Sequence, residues 1–251
     1  MKIMCKLVVM MVSVVALLAL AAPAQASKLD SRIESSAKQS YVFMTYLKDD
    51  DIKIQSVNGA VSLTGTVAEE SHKSLAHDTV ASLAGVKSVD NKLEIKGDRP
   101  TDNSDAWLTT KVKTMFLFHR NVSAMTEVAT QNGIVTLKGE AESQAQKDLT
   151  TEYAKDVEGV KDVINEMTVG KIAKKKQTTG SKIDDASITA QVKMTLLYHR
   201  STSALNTSVT TRKGVVTLTG KAKNAAEKDL AAKFVRDVNG VKSVTNKMTI
   251  G

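Results

Sequence analysis

Hydrophobic positions in this chain follow two periods that alternate along the sequence. Val135 and Leu137 flank Thr136, a period of two that predicts a strand with one buried face. Asn132-Gly133 precedes it, a hairpin pair in which both turn positions favour φ > 0, and Glu127 to Thr130 supplies the strand before that turn. Upstream the period changes. Leu108, Val112, Met115 and His119 fall on one side of a helix predicted from Asp105 to His119. Downstream, Ala145, Leu149, Tyr153 and Val157 lie four apart on a second helix, with Gly159 as its expected C-cap glycine. Val163 to Val169 closes the pattern as a last strand, giving the order α-β-β-α-β.

The same pattern occurs three times. Gly59-Ala60-Val61-Ser62-Leu63-Thr64-Gly65 matches Gly133-Ile134-Val135-Thr136-Leu137-Lys138-Gly139 and Gly214-Val215-Val216-Thr217-Leu218-Thr219-Gly220. Twenty residues past each closing glycine stands Gly-Val-Lys-x-Val, beginning at Gly85, Gly159 and Gly240, and Asn91, Asn165 and Asn246 follow six residues on. The offsets between copies are 74 and 81. Two helices can cover one face of a three-stranded sheet. The expected fold is therefore α+β: three tandem domains over 28–97, 103–170 and 183–251, the last two joined by a basic linker, 171–182, that includes Lys174-Lys175-Lys176. Units of this size bury only about 60% of their unfolded surface, so contacts between them should matter.

The first residues change where such a protein would work. Lys2 and Lys6 precede an apolar run from Leu7 to Ala22, and Ala24-Gln25-Ala26 offers small residues before Ser27. This is the layout of a secretory signal peptide over 1–26, cut after Ala26, and the run is short for a membrane span. The one cysteine, Cys5, lies before the apolar run and leaves with the leader, so it cannot be a lipidated residue after cleavage. One cysteine also excludes a disulfide scaffold and any multi-cysteine metal site. The formal charge of +8 indicates an anionic partner, and export argues against nucleic acid.

The Gly-x-Val-x-Leu-x-Gly strand, the Gly-Val-x-x-Val that follows and the asparagine six residues on resemble the BON-domain family, as does Glu142-Ser143-Gln144-Ala145-Gln146 at the start of the second helix. Units two and three fit throughout. The first departs at Ser40-Tyr41-Val42-Phe43-Met44-Thr45-Tyr46-Leu47, where the lysine-containing pattern of the other first helices is absent. The resemblance implies a periplasmic, non-enzymatic protein of envelope or osmotic stress whose domains bind phospholipid. In double-domain lipoprotein relatives, anionic lipid is contacted by the first helix of the second domain, with a tryptophan near its start. Asp105-Ala106-Trp107-Leu108-Thr109-Thr110-Lys111-Val112 resembles that segment.

On the helix wheel, Trp107, Lys111, Thr114 and Phe118 form a face beside the expected core face. Two aromatic rings and a cation suit a headgroup boundary. Trp107, Lys111 and Phe118 are thus the expected lipid-binding residues, and the alternative for the two rings is packing against a neighbouring unit. His119-Arg120 and His199-Arg200 read as cations placed at helix C-termini by the dipole, and Asp49-Asp50-Asp51 as a solvated loop. His72 and His77 lack metal-ligand spacing. No nucleophile elbow, P-loop or dinucleotide fingerprint is present, so neither catalysis nor a cofactor is expected. The partner implied is an anionic phospholipid surface, contacted peripherally; a chaperone-like module that binds envelope proteins is the alternative.

Overall fold

The computed structural model describes residues 27–97, 101, 104–122, 126–170, 182–202 and 206–251; the expected leader and nearly all of the linker lie outside them. Unit 1 contains α1 (27–39), α2 (Tyr41–Thr45), β1 (Asp51–Val57), β2 (Ala60–Val67), α3 (Glu70–Ala81) and β3 (Ser88–Ile95). Unit 2 contains α4 (Asp105–Phe118), β4 (Glu127–Gln131), β5 (Ile134–Lys138), β6 (Glu140–Ala141), α5 (Gln144–Lys155), β7 (Asp162–Asn165) and β8 (Thr168–Val169). Unit 3 repeats this with α6 (Asp185–Tyr198), β9 (Thr207–Arg212), β10 (Val215–Ala222), α7 (Ala225–Asp237), β11 (Ser243–Asn246) and β12 (Thr249–Ile250). Each sheet has its central strand antiparallel to the strand before it and parallel to the strand after the second helix. The α+β reading holds, and the period-two residues Val135, Leu137, Val216 and Leu218 are all buried at 0% exposure.

Repeated hydrogen bonds explain the repeated sequence. At each hairpin tip an aspartate from the first turn of the first helix accepts two backbone amides. Asp30 takes Asn58 and Gly59 at 2.8 and 2.9 Å, Asp105 takes Asn132 and Gly133 at 2.7 and 2.8 Å, and Asp185 takes Lys213 and Gly214 at 2.6 and 2.8 Å. These bonds hold the Asp30 carboxyl below the usual carboxylate range, with the Ser56 hydroxyl the largest contributor. The repeated asparagine joins helix to strand. Asn91, Asn165 and Asn246 donate to the carbonyls of Lys73, Lys147 and Lys228 and accept the amide two residues on. In units 2 and 3 this asparagine ends a strand, so the single strand expected over Val163 to Val169 is split into β7 and β8.

Two other expectations need correction. Gly159 and Gly240 lie beyond the helix ends at Lys155 and Asp237, so they are not the first residue after the helix. Gly240 has φ +86°, and a Cβ there would come within 3.0 to 3.1 Å of Ile183 and Ile188, so the glycine admits the first helix as well as the turn. Asp50 is not solvated. Its side chain is 3% exposed and accepts from Ala68 N at 2.8 Å, with His72 Nδ1 2.6 Å away.

The first helices do not stop at their own units. Unit 1's first helix breaks at Ser40, whose Oγ donates to the Ala37 carbonyl. The freed amides of Tyr41 and Val42 donate to Asp184 and Ser187 at the start of α6, at 2.8 and 3.0 Å. Ala190, Met194 and Tyr198 of α6, with Phe118 of α4, belong to the same buried cluster as unit 1's own core.

The hairpin tips allow a direct test. Asn58, Asn132 and Lys213 all have φ of 52 to 54°, a conformation asparagine tolerates and lysine does not favour. Lys213→Asn should raise unfolding stability by about 0.5–1 kcal/mol, whereas Asp185→Ala should lower it by about 2 kcal/mol. Urea unfolding followed by circular dichroism reads both.

Candidate functional site at the first helix of the second unit

α4 begins at Ser104, whose Oγ accepts the Trp107 amide at 3.3 Å. One helical turn later Lys111 returns to the same side, and its Nζ lies 3.9 Å from the Trp107 ring centroid. The same ammonium lies 5.0 Å from the ring of Tyr198 on α6. The spacing of four residues that placed Trp107 and Lys111 on one face therefore does bring them into contact. Trp107 is partly buried, and its apolar surface packs on the unit 2 core. Lys111 is 8% exposed, held between the two helices. Burial, with smaller effects from Glu69 and Glu70, pushes the Tyr198 phenol above its usual range.

Phe118 is separated from this pair. It is 1% exposed and meets the Tyr46 ring edge-on at 5.5 Å, with the unit 1 core around it. Thr114 is also buried. The expected open face of α4 is instead divided: its N-terminal end keeps a tryptophan partly accessible, and its C-terminal end is covered by unit 1. The packing alternative thus describes Phe118 as positioned here. Among the described residues of α4, Lys113 and Leu117 are the outward-facing long side chains.

The His-Arg pairs also have a different role from the one expected. Each pair crosses to the other unit in a pseudo-symmetric clasp. His119 bridges Val238 and His199 bridges Val157. Arg120 N donates to Asp237 O at 2.9 Å and Arg200 N to Asp156 O at 2.8 Å. The Arg120 guanidinium adds bonds to the Val238 and Val241 carbonyls at 2.7 and 2.6 Å. His199 stacks on Phe234 at 3.8 Å with 6° between planes, and its Nδ1 lies 2.7 Å from Asp156 Oδ2. His119 sits 4.3 Å from the Tyr153 ring and 5.7 Å from His199; its Nδ1 is 3.3 Å from Asp237 without hydrogen-bond alignment. Tyr153 Oη donates to Asp237 at 2.9 Å, and burial followed by that carboxylate raises its phenol well above the usual range. Tyr153 is a core residue of unit 2, as expected, whereas Phe234 joins that core in place of its own, the two rings meeting across the clasp at 5.7 Å. The sequence signal was available in the repetition of His-Arg with Val157 and Val238, but no local rule pairs residues 118 positions apart.

Among the described residues no group of three or more His, Cys, Asp or Glu is placed to hold a metal ion, and no helix is long and apolar enough to cross a membrane.

The comparisons with known proteins agree with this architecture. The BON domain family matches residues 29–97, 104–171 and 184–251. The chain is 33% identical over 198 residues to osmotically-inducible protein Y of Escherichia coli, an alignment covering 78% of this chain and 96% of that protein. It is 34% identical over 126 residues to the outer membrane lipoprotein DolP of Haemophilus influenzae, covering 47% of this chain and 65% of the relative.

Two predictions follow from the geometry. Phe118→Ala should cost about 3–5 kcal/mol, as expected for deleting an enclosed aromatic ring, and calorimetry should show a much smaller loss for Trp107→Ala. The clasp should also be sensitive to pH. Burial lowers the His199 pKa below its ordinary value, against an opposing pull from Asp156. The folded state then binds fewer protons than the unfolded chain just below pH 6.5, so this contribution is full above that value and declines as the pH drops through it. Melting temperatures from pH 8 to 5.5 should fall for the native chain and fall less steeply for His199→Phe, which keeps the stacking surface and cannot be protonated. With the family model matching all three units and a relative 33% identical over 96% of its length, the chain belongs to the BON-domain family.

Proposed function

We propose that this protein is an exported, non-enzymatic BON-domain protein of the bacterial envelope that associates peripherally with anionic phospholipid surfaces under osmotic or envelope stress. The observation that carries the reading is Trp107. It is the chain's single tryptophan, and it stays partly accessible on a helix whose other aromatic rings, Phe116 and Phe118, are buried. An indole with one side on an apolar core and a lysine ammonium against its face suits the boundary between headgroups and acyl chains. Lys111 holds the ring in place, and Phe118 fixes the far end of α4. The implied function of the family and the printed names of the relatives, one osmotically inducible and one an outer membrane lipoprotein, support the same reading. The basic charge of +8 favours an anionic surface over a neutral one.

Because the chain has one tryptophan, its fluorescence reports this contact without labelling. Vesicles containing phosphatidylglycerol should shift the emission to the blue and co-sediment the protein, and neutral phosphatidylcholine vesicles should do neither. Trp107→Ala should weaken co-sedimentation several-fold. Equal binding to both vesicle types would overturn the reading, as would detergent-resistant capture of envelope proteins with no vesicle binding at all.

A further inference from the structure

The helices of each unit cover one face of its sheet and leave the other open, and the three open faces differ in charge. On unit 2 the outward positions include Glu127, Glu140, Asp162 and Glu166, with Lys138 as the lone cation. On unit 1 they include Asp51, Asp90 and Glu94 against Lys53 and Lys92. The outward positions of β9 to β12 in unit 3 carry no carboxylate. Arg212, Lys221 and Lys247 are exposed there. Most of the positions between them are small hydroxyl residues, with Val215 exposed beside Arg212. Thr210, Thr217 and Thr245 lie in one row across the sheet, and Ser208 pairs with Thr219.

Matched position by position, unit 2 and unit 3 have nearly opposite outer faces. Glu140 corresponds to Lys221, Glu166 to Lys247, Asp162 to Ser243 and Gln131 to Arg212. The hairpin tip extends the trend. Lys213 replaces the asparagine of the other units in a left-handed conformation that lysine does not favour; Lys242 beside it is shared, since Lys87 and Lys161 flank the tips of the other two units. Backbone strain retained where a better residue exists in both sister units indicates a use for the side chain.

We infer that the open sheet face of unit 3 is the surface through which the protein lies on an anionic phospholipid headgroup layer. The face is exposed, and neighbouring strands about 4.8 Å apart spread its charges over the width of the sheet. That form matches an extended layer of phosphates better than a single small anion. Short hydroxyls can donate to phosphate oxygens without keeping the lysines away from them. Each cation near such a surface adds about fivefold to binding. The inference rests on the phospholipid reading above and adds to it the face that meets the charge.

The experiment uses the full chain and vesicles of phosphatidylcholine with or without about one-third phosphatidylglycerol. The triple variant Arg212→Gln, Lys221→Gln, Lys247→Gln removes the exposed cations of this face. The control, Lys53→Gln, Lys92→Gln, Lys138→Gln, removes as many from the other two faces. The first should lose on the order of 100-fold in partitioning to the anionic vesicles, and the control less than about threefold. Equal losses, or none, in both variants would overturn the inference while leaving the phospholipid reading intact. Failure of the unaltered chain to bind anionic vesicles would overturn both. Low-salt self-association that the first variant abolishes, with vesicle binding unchanged, would assign the face to the acidic unit 2 sheet of a second copy and overturn the lipid assignment. All six positions are exposed, five on strands and Lys247 between β11 and β12, so melting temperatures should stay close to native.

Discussion

The arrangement depends on burying the first helices on more than one side. A 70-residue unit with two helices on a three-stranded sheet cannot enclose all the apolar surface its own first helix carries. Here α6 solves the problem for the whole chain. Ile188, Val192 and Leu196 point into unit 3, and Ala190, Met194 and Tyr198 complete the core of unit 1. Phe118 of unit 2 enters that same core. Unit 1 therefore has no complete interior without the other two, although it is the first to be synthesised.

Units 2 and 3 join by reciprocity. Each offers a His-Arg pair at the end of its first helix and receives the partner's pair on the Asp-Val that ends its second. Unit 1 has neither half. Counting from the turn-clipping aspartates, Met44-Thr45 stands where unit 3 has His199-Arg200; counting from the repeated glycines, Ser82-Leu83 stands where unit 2 has Asp156-Val157. It docks instead through the break at Ser40, where two unsatisfied amides meet the polar start of α6. The stretch in which unit 1 departs from the repeat pattern thus supplies part of its contact with unit 3, beside α3, whose Asp78 pairs with Lys193 of α6 at 3.1 Å.

This division explains what could be read in the sequence and what could not. Strand periodicity, the Asn-Gly turns and the unit order are set by neighbours within a few residues, and they read correctly. The Trp107–Lys111 contact is also local, one helical turn, and the wheel found it. Phe118 was placed on the same face, but what covers a helix face is decided by residues far away in sequence, here Tyr46 and the unit 1 core. His119 and His199 read as dipole cations at helix ends on the core face, because the dipole is a local rule and their aspartate partners lie in another unit. Asp50 differs from expectation for the same reason: three consecutive acids suggest solvent, and only the fold brings His72 and the Ala68 amide to the middle one.

A repeated chain also separates folding from the rest of its business. Inward positions of the sheets of units 2 and 3 hardly vary, whereas their helices differ more: Val135 and Val216, Leu137 and Leu218, Ala141 and Ala222, Met167 and Met248 are identical pairs, all buried to 2% exposure or less. Close-packed interiors penalise a change of even one methylene, so copies of one fold must agree there. Outward strand positions carry no such penalty, since exposed substitutions seldom move stability by more than about 0.5 kcal/mol. Divergence confined to those positions would scatter charges at random if nothing selected them. Instead the signs are sorted by unit, acidic on one sheet and basic on its partner, and one turn accepts a strained lysine. What distinguishes the copies is therefore on their outer faces, and the function of the assembled chain is to be sought in how the units differ more than in what they share.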